Sequence, residues 1–263
     1  MEHTNFVDLG FAPHRFSIYK IEVMLQIDKY RDVEAHIHAL LEQSEVLFPH
    51  EQALILAAAA AALNEAHLLK VILSSGLFYQ TAPIAFYEAI LQTYLFAGFP
   101  AALEGLAVLQ IVCKEQHLDW KPPAAARYDS TLFEKRGLEL CEQIYTTAYE
   151  KMRHNLHATS PDLAEWMIIE GYGKTLSRPQ LSPRIRELVV VGVLAVLGWK
   201  TQLYSHLRGA MNVGATPVEC IDTLNIVSFF CERAASEFQP ILRRRMETAK
   251  GILEKLLDTT SSL

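Results

Sequence analysis

The chain has 263 residues, 51% of them hydrophobic and 21% charged, and 30 acidic side chains against 24 lysines and arginines give a net charge of -6. That length supports a sizeable core, and that composition excludes a disordered chain. The acidic balance argues against a nucleic-acid binder, which would carry a basic face.

The four cysteines, Cys113, Cys141, Cys220 and Cys231, form no CxxC pair and have no histidine at zinc-ligand spacing. They fit small buried thiols in a reduced compartment. The N-terminal run MEHTNFVDLG lacks the basic start and apolar stretch of a signal peptide, so the expectation is a cytoplasmic protein. Two runs, Ala53 to Leu63 and Leu188 to Leu197, are nearly continuous in apolar residues. Each is about half of the roughly 20 residues that span a bilayer, so they read as buried core helices and no membrane partner is expected.

Helical signals dominate, and the expected class is all-α. Residues 16–43 carry Ile21, Met24, Leu25 and Ile27 at mixed three and four spacing and suggest one or two helices. Phe48 and Pro49 precede the alanine-rich run. Pro83 opens a helix expected to end near Gly98, and Ala101 to Cys113 forms the next. Lys121 with Pro122 and Pro123 marks a linker, since no helix interior tolerates paired prolines. Phe133 to Met152 resumes the helical pattern. Ser160 before Pro161, Ser182 before Pro183 and Thr216 before Pro217 each place a capping hydroxyl ahead of a proline. Glu219 completes a capping box with Thr216. Gly198 and Gly214 sit where helices end in a left-handed residue. The last helix is expected from Pro240 to Leu257. Its Arg243, Arg244 and Arg245 run around the helix, which suggests a solvated face or subunit contact rather than a phosphate site.

Sliding the chain by 134 residues against itself aligns Pro49 with Pro183 and Pro83 with Pro217, and superimposes the two apolar runs without a gap. The pattern predicts two copies of one helical module. The expected organisation is an extension over 1–47, a first, degenerate module over 48–120, and a linker with the second module over 121–263. The copies differ at polar positions. Where the later one has Arg186, Glu187 and His206, the earlier one has Gln52, Ala53 and Ile72. The earlier copy keeps Glu88 and Gln92 instead.

Glu187 shares a helical stripe with Val191 and Leu194, and His206 shares one with Trp199, Leu203 and Ala210, so both are expected to face inward. Counted from Gly198 they lie at depths of roughly 16 Å and 12 Å on antiparallel helices, within one turn of each other. A glutamate against a histidine in a dry site tunes acid–base chemistry near neutral pH. Equally, a histidine on an apolar face is often a structural group with one hydrogen bond, and an Arg186–Glu187 step near a helix start complements the helix dipole. Spacing alone leaves both readings open. His154 and His157 lack a carboxylate pattern for a metal. Gly171 to Gly173 is too short for a phosphate loop.

The run GYGKTLSRPQLSPRIREL over 171–188, LAVLG over 194–198, QLYSH over 202–206 and GATPVE over 214–219 resemble the carboxymuconolactone decarboxylase family. YEAILQTYLFAGFPAA over 87–102 looks like the second half of the same motif in the earlier copy. The resemblance covers about residues 48–112 and 130–235. It implies the helical fold shared with alkylhydroperoxidase D-like proteins, in tandem, and assembly into homo-oligomers. In the peroxidase-like branch of that fold a CxxC pair precedes the histidine. Here Glu187 and His206 take the relay positions, but Trp199 and Gln202 stand at the two cysteine places, so a thiol peroxidase lacks its nucleophile. The decarboxylase-like branch implies a lyase that needs no metal or organic cofactor. Its substrate would be a small carboxylated lactone or related acid. His206 would act as acid or base and Glu187 would orient it. Arg186 or Arg178 would contact the anion, and Gln202 and Trp199 would complete the substrate site. A non-catalytic or ligand-binding member with mainly an assembly role is the alternative.

Overall fold

The computed structural model describes residues 27–125 and 127–261. Among the described residues every regular element is helical. They are α1 (Ile27–Gln43), α2 (Pro49–Ala62), α3 (Ala66–Phe78), α4 (Pro83–Leu91), α5 (Tyr94–Glu115), α6 (Ser130–Tyr145), α7 (Tyr149–Thr159), α8 (Pro161–Trp166), α9 (Pro183–Leu197), α10 (Lys200–Asn212), α11 (Pro217–Val227), α12 (Phe230–Arg233) and α13 (Gln239–Ser261). α8 runs on as a π-helix over Met167–Leu176. The helix expected from residue 16 is described only from Ile27; Ile21, Met24 and Leu25 lie outside the described residues.

The two apolar runs form the centre. α2 and α9 pack on each other, and nearly every side chain from Gln52 to Ala61 and from Arg186 to Val196 is buried. Small residues allow the approach. A Cβ on Gly192 would lie 2.8 Å from the Ile55 side chain. α3, α4 and α5 surround α2, while α10, α11 and α13 surround α9. Each fully buried leucine or valine here contributes about 1.5–3 kcal/mol through removal from water.

The start signals act as the sequence predicts. Ser160, Ser182 and Thr216 accept from the backbone amides of Leu163, Ile185 and Glu219. Glu219 returns to the Thr216 amide. Gly198 and Gly214 take φ of 79° and 101°. The last helix extends a little beyond its expected span at both ends.

Two expected helices are divided. The helix opened by Pro83 ends at Leu91, and α5 begins at Tyr94. Gly98, at φ 84°, kinks α5 just ahead of Pro100, whose ring cannot fit a regular helix interior. The pattern from Phe133 to Met152 breaks at Thr146, with φ 48°, between α6 and α7. The Gly171–Gly173 segment lies in the π-helix and serves contact: a Cβ on Gly173 would stand 1.8 Å from the Phe133 carbonyl oxygen, and one on Gly137 2.1 Å from that of Ile168. Those bare positions let α6 and the π-helix lie backbone to backbone.

Candidate functional site

Glu187 sits in the second turn of α9, and His206 midway along α10. The Gly198 turn folds the two helices side by side, and Nδ1 of His206 lies 2.8 Å from Oε2 of Glu187. Both are buried, at 6% and 1% exposure. With the carboxylate ionised and the imidazole neutral, Nδ1 carries the proton and donates it to Glu187. Nε2 then presents a lone pair to an incoming acid. The Phe96 ring meets the imidazole edge-on at 5.6 Å between centroids. Oε1 of Glu187 is buried with no partner.

Other groups border this carboxylate. A Cβ on Gly209 would fall 2.8 Å from Glu187 Oε2 and 2.7 Å from the Ile144 side chain, so a bare position keeps room for the pair. The hydroxyls of Tyr145 and Tyr172 are hydrogen-bonded at 2.7 Å. Burial pushes both phenols up, and the Glu187 charge adds to the shift. Cys141 is raised by the same two causes in the same order. These groups remain protonated beside Glu187 at neutral pH.

The other candidate residues are placed differently. Arg186, 1% exposed, turns away from His206. Its Nη2 donates to Glu88 Oε2 at 2.8 Å, its Nη1 to Gln92 Oε1 at 3.0 Å, and its Nε and Nη2 to the Arg178 carbonyl at 3.3 and 2.8 Å. Gln92 Nε2 donates back to the Arg186 carbonyl at 3.1 Å. Arg178 holds both oxygens of Glu88 through Nε at 2.9 Å each, and Oε1 again through Nη2 at 2.7 Å. Hydrogen bonding to Glu88 holds Arg178 up, whereas burial pulls Arg186 down. Two guanidiniums thus share one fully buried carboxylate, and every nitrogen of the Arg186 guanidinium is directed at a protein acceptor. Trp199 and Gln202, two turns and one turn before His206, are exposed. So Glu187 and His206 come together, Arg186 and Arg178 form a second cluster around Glu88, and Trp199 and Gln202 lie on the surface.

Glu88 is the residue that spacing did not single out as a partner. Its signal was the one charge on helix α4, matched by Arg186 at a buried position of α9. A second network also escaped. Arg184 donates to Glu51 at 2.8 Å and to Glu219, joining the starts of α2, α9 and α11. The largest cavity described, about 390 Å³, lies between α6 and the 176–183 segment and is lined by Arg136 and Arg178, not by Glu187 or His206.

An all-helical bundle with a buried glutamate–histidine pair on adjacent helices is the class of site that the resemblance predicts. Residues 161–238 match the family model of the carboxymuconolactone decarboxylase family. Two curated relatives share the name Peroxisomal protein 2. The one from Saccharomyces cerevisiae is 28% identical over 59% of this chain and 64% of its own length. The one from Schizosaccharomyces pombe is 27% identical over 58% of this chain and 71% of its own length. The chain therefore spans a little under two thirds of the first relative.

Proposed function

We propose that the chain is a cofactor-independent lyase of carboxymuconolactone decarboxylase type, acting on a small carboxylated lactone or related acid. The observation that carries this reading is the buried 2.8 Å contact between His206 Nδ1 and Glu187 Oε2. In the reaction, the bond from carbon to the departing carboxylate breaks and carbon dioxide leaves. The electron pair passes into the conjugated lactone carbonyl, and a proton is delivered to carbon. His206 Nε2 is the proposed site of that proton, restored from water between turnovers, and Glu187 positions and stabilises the imidazolium. Because the Arg186 donors face Glu88, the substrate anion falls to Arg178, whose Nη1 is not among the atoms bonded to Glu88, with Gln202 and Trp199 at the outer edge of the site. Release of carbon dioxide from carboxymuconolactone tests the proposal. His206→Ala should abolish it with helicity retained, and unchanged turnover would remove His206 from the mechanism.

A second reading is a non-catalytic member that binds ligand or assembles. Two observations favour it: the cavities described here do not border the pair, and α5 leaves Phe99 and Leu103 more than 60% exposed. α5 is also long and apolar enough to cross a membrane by length and composition. We assign its bare face to a second copy of the chain, to be tested by light scattering on the wild type and on Phe99→Asp. In place of the cytoplasm we propose peroxisomal residence, on the relatives' shared name; imaging of a fluorescent fusion tests it.

A further inference from the structure

We propose that the turn joining α9 to α10, together with α13, forms a binding site for a phosphate group, independent of the Glu187–His206 chemistry. A cavity of about 90 Å³ opens there, lined by Lys200, Arg244, Arg245 and Thr248 over Ala195 and Leu203. That is several times the roughly 10–15 Å³ that admits one water. Three of the lining side chains are cationic and none is a carboxylate. In a chain of net charge -6 such a cluster does not reflect general basicity. Like charges around a concave, partly apolar wall focus a positive potential into it.

The arrangement is also built rather than loose. Nη1 of Arg245 donates to the Val196 carbonyl at 2.7 Å, which anchors the guanidinium on the last turn of α9. It lies against Gly198, where an added Cβ would stand 2.9 Å from its Nε. Lys200 and Arg244 are exposed and have no acidic partner among the described residues. The arginine triplet thus does more than run around a solvated face: Arg244 and Arg245 turn to one cavity with Lys200. Two guanidiniums and an ammonium suit a dianion with several acceptor oxygens better than a single carboxylate. The cavity holds the phosphate alone, leaving the rest of a ligand outside, so the class is inorganic phosphate or a phosphate monoester.

Calorimetric titration of the full chain with inorganic phosphate, at ionic strength fixed with sodium chloride, tests this. The expected result is saturable binding of one phosphate per chain, weakened about tenfold or more in Lys200→Glu/Arg244→Glu, since charge-assisted contacts dominate such a site. Arg244→Gln, at an exposed position, gives a milder loss and serves as the variant should the double reversal fail to fold. Sedimentation with phosphatidylcholine vesicles, with and without phosphatidic acid, separates the sources. Capture by phosphatidic acid assigns a lipid headgroup; binding of free phosphate alone assigns a soluble compound. No saturable binding of either, or affinity unchanged by the substitutions, overturns the site.

Discussion

Glu88→Gln should be among the most damaging single substitutions in this chain, although it preserves shape. Glu88 is fully buried and accepts from both Arg178 and Arg186. The amide removes the one negative charge in the cluster and replaces one acceptor oxygen with a donor. Arg186, 1% exposed in its side chain, is left as an uncompensated buried cation, while Arg178, at 23%, can turn to solvent. Breaking a buried pair from one side costs about 3–5 kcal/mol. At ~2–4 °C per kcal/mol for a chain of this size, the melting temperature should fall by roughly 6–20 °C. The half-buried Glu170–Lys174 pair, with side chains 33% and 37% exposed and so open to solvent screening, is the internal control. Glu170→Gln should cost less than ~1 kcal/mol. Urea denaturation of both variants measures the contrast. Glu88→Met/Arg186→Met removes the orphaned charge and should recover more than half of the loss. If Glu88→Gln unfolds within about 1 kcal/mol of the parent, the cluster is not the electrostatic joint described here.

Gly209→Ala should destabilise by about 1–3 kcal/mol through overpacking against Ile144 and Glu187, and should shift the His206 ring resonances in NMR. Arg184 and the Thr216 amide and hydroxyl hold the Glu219 carboxyl below its ordinary value, overcoming a burial effect that acts the other way. A depressed folded-state value means that this stabilisation is present in full above pH ~4.5 and is lost as pH falls through the folded value, so Glu219→Gln should flatten the acid limb of a stability–pH curve. All four cysteines are buried, and burial pushes the Cys220 thiol up to about 12. Alkylation by iodoacetamide at pH 8 should therefore be slow in the native chain and fast in urea, as read by mass spectrometry.

Helix starts were legible because their signals are local. The cap at Ser182, the capping box at Thr216 and the glycine at 198 each act within one turn of chain, so short spacings predict them. Glu187 and His206 were legible for a different reason: one short turn fixes the phase and depth of both helices. The Glu88 cluster was not legible. Its members are 90 and 98 residues apart, and helical periodicity carries no information on which buried charge meets which across that distance. The breaks at Thr146 and Leu91 were also hidden, since no proline or glycine marks Thr146 and the alanine and leucine content near Leu91 favours helix. The close contact at Gly137 and Gly173 depends on tertiary approach alone.

The two clusters are joined by adjacency. Arg186 and Glu187 are consecutive on α9, about 100° apart around it, so one turns to α4 and the other to α10. Gln92 and Glu88, from the N-terminal half of the chain, fix both the backbone carbonyl and the guanidinium of Arg186. That holds the turn of helix from which Glu187 reaches His206. Phe96, from the same half, closes against the imidazole. The N-terminal half thus supplies residues that position the pair carried by the C-terminal half. Loss of Glu88 should therefore be felt at His206 as well as in stability. A His206 titration by NMR that is unchanged in Glu88→Gln, under conditions where that variant is folded, would show that the first half supports the fold without tuning the pair.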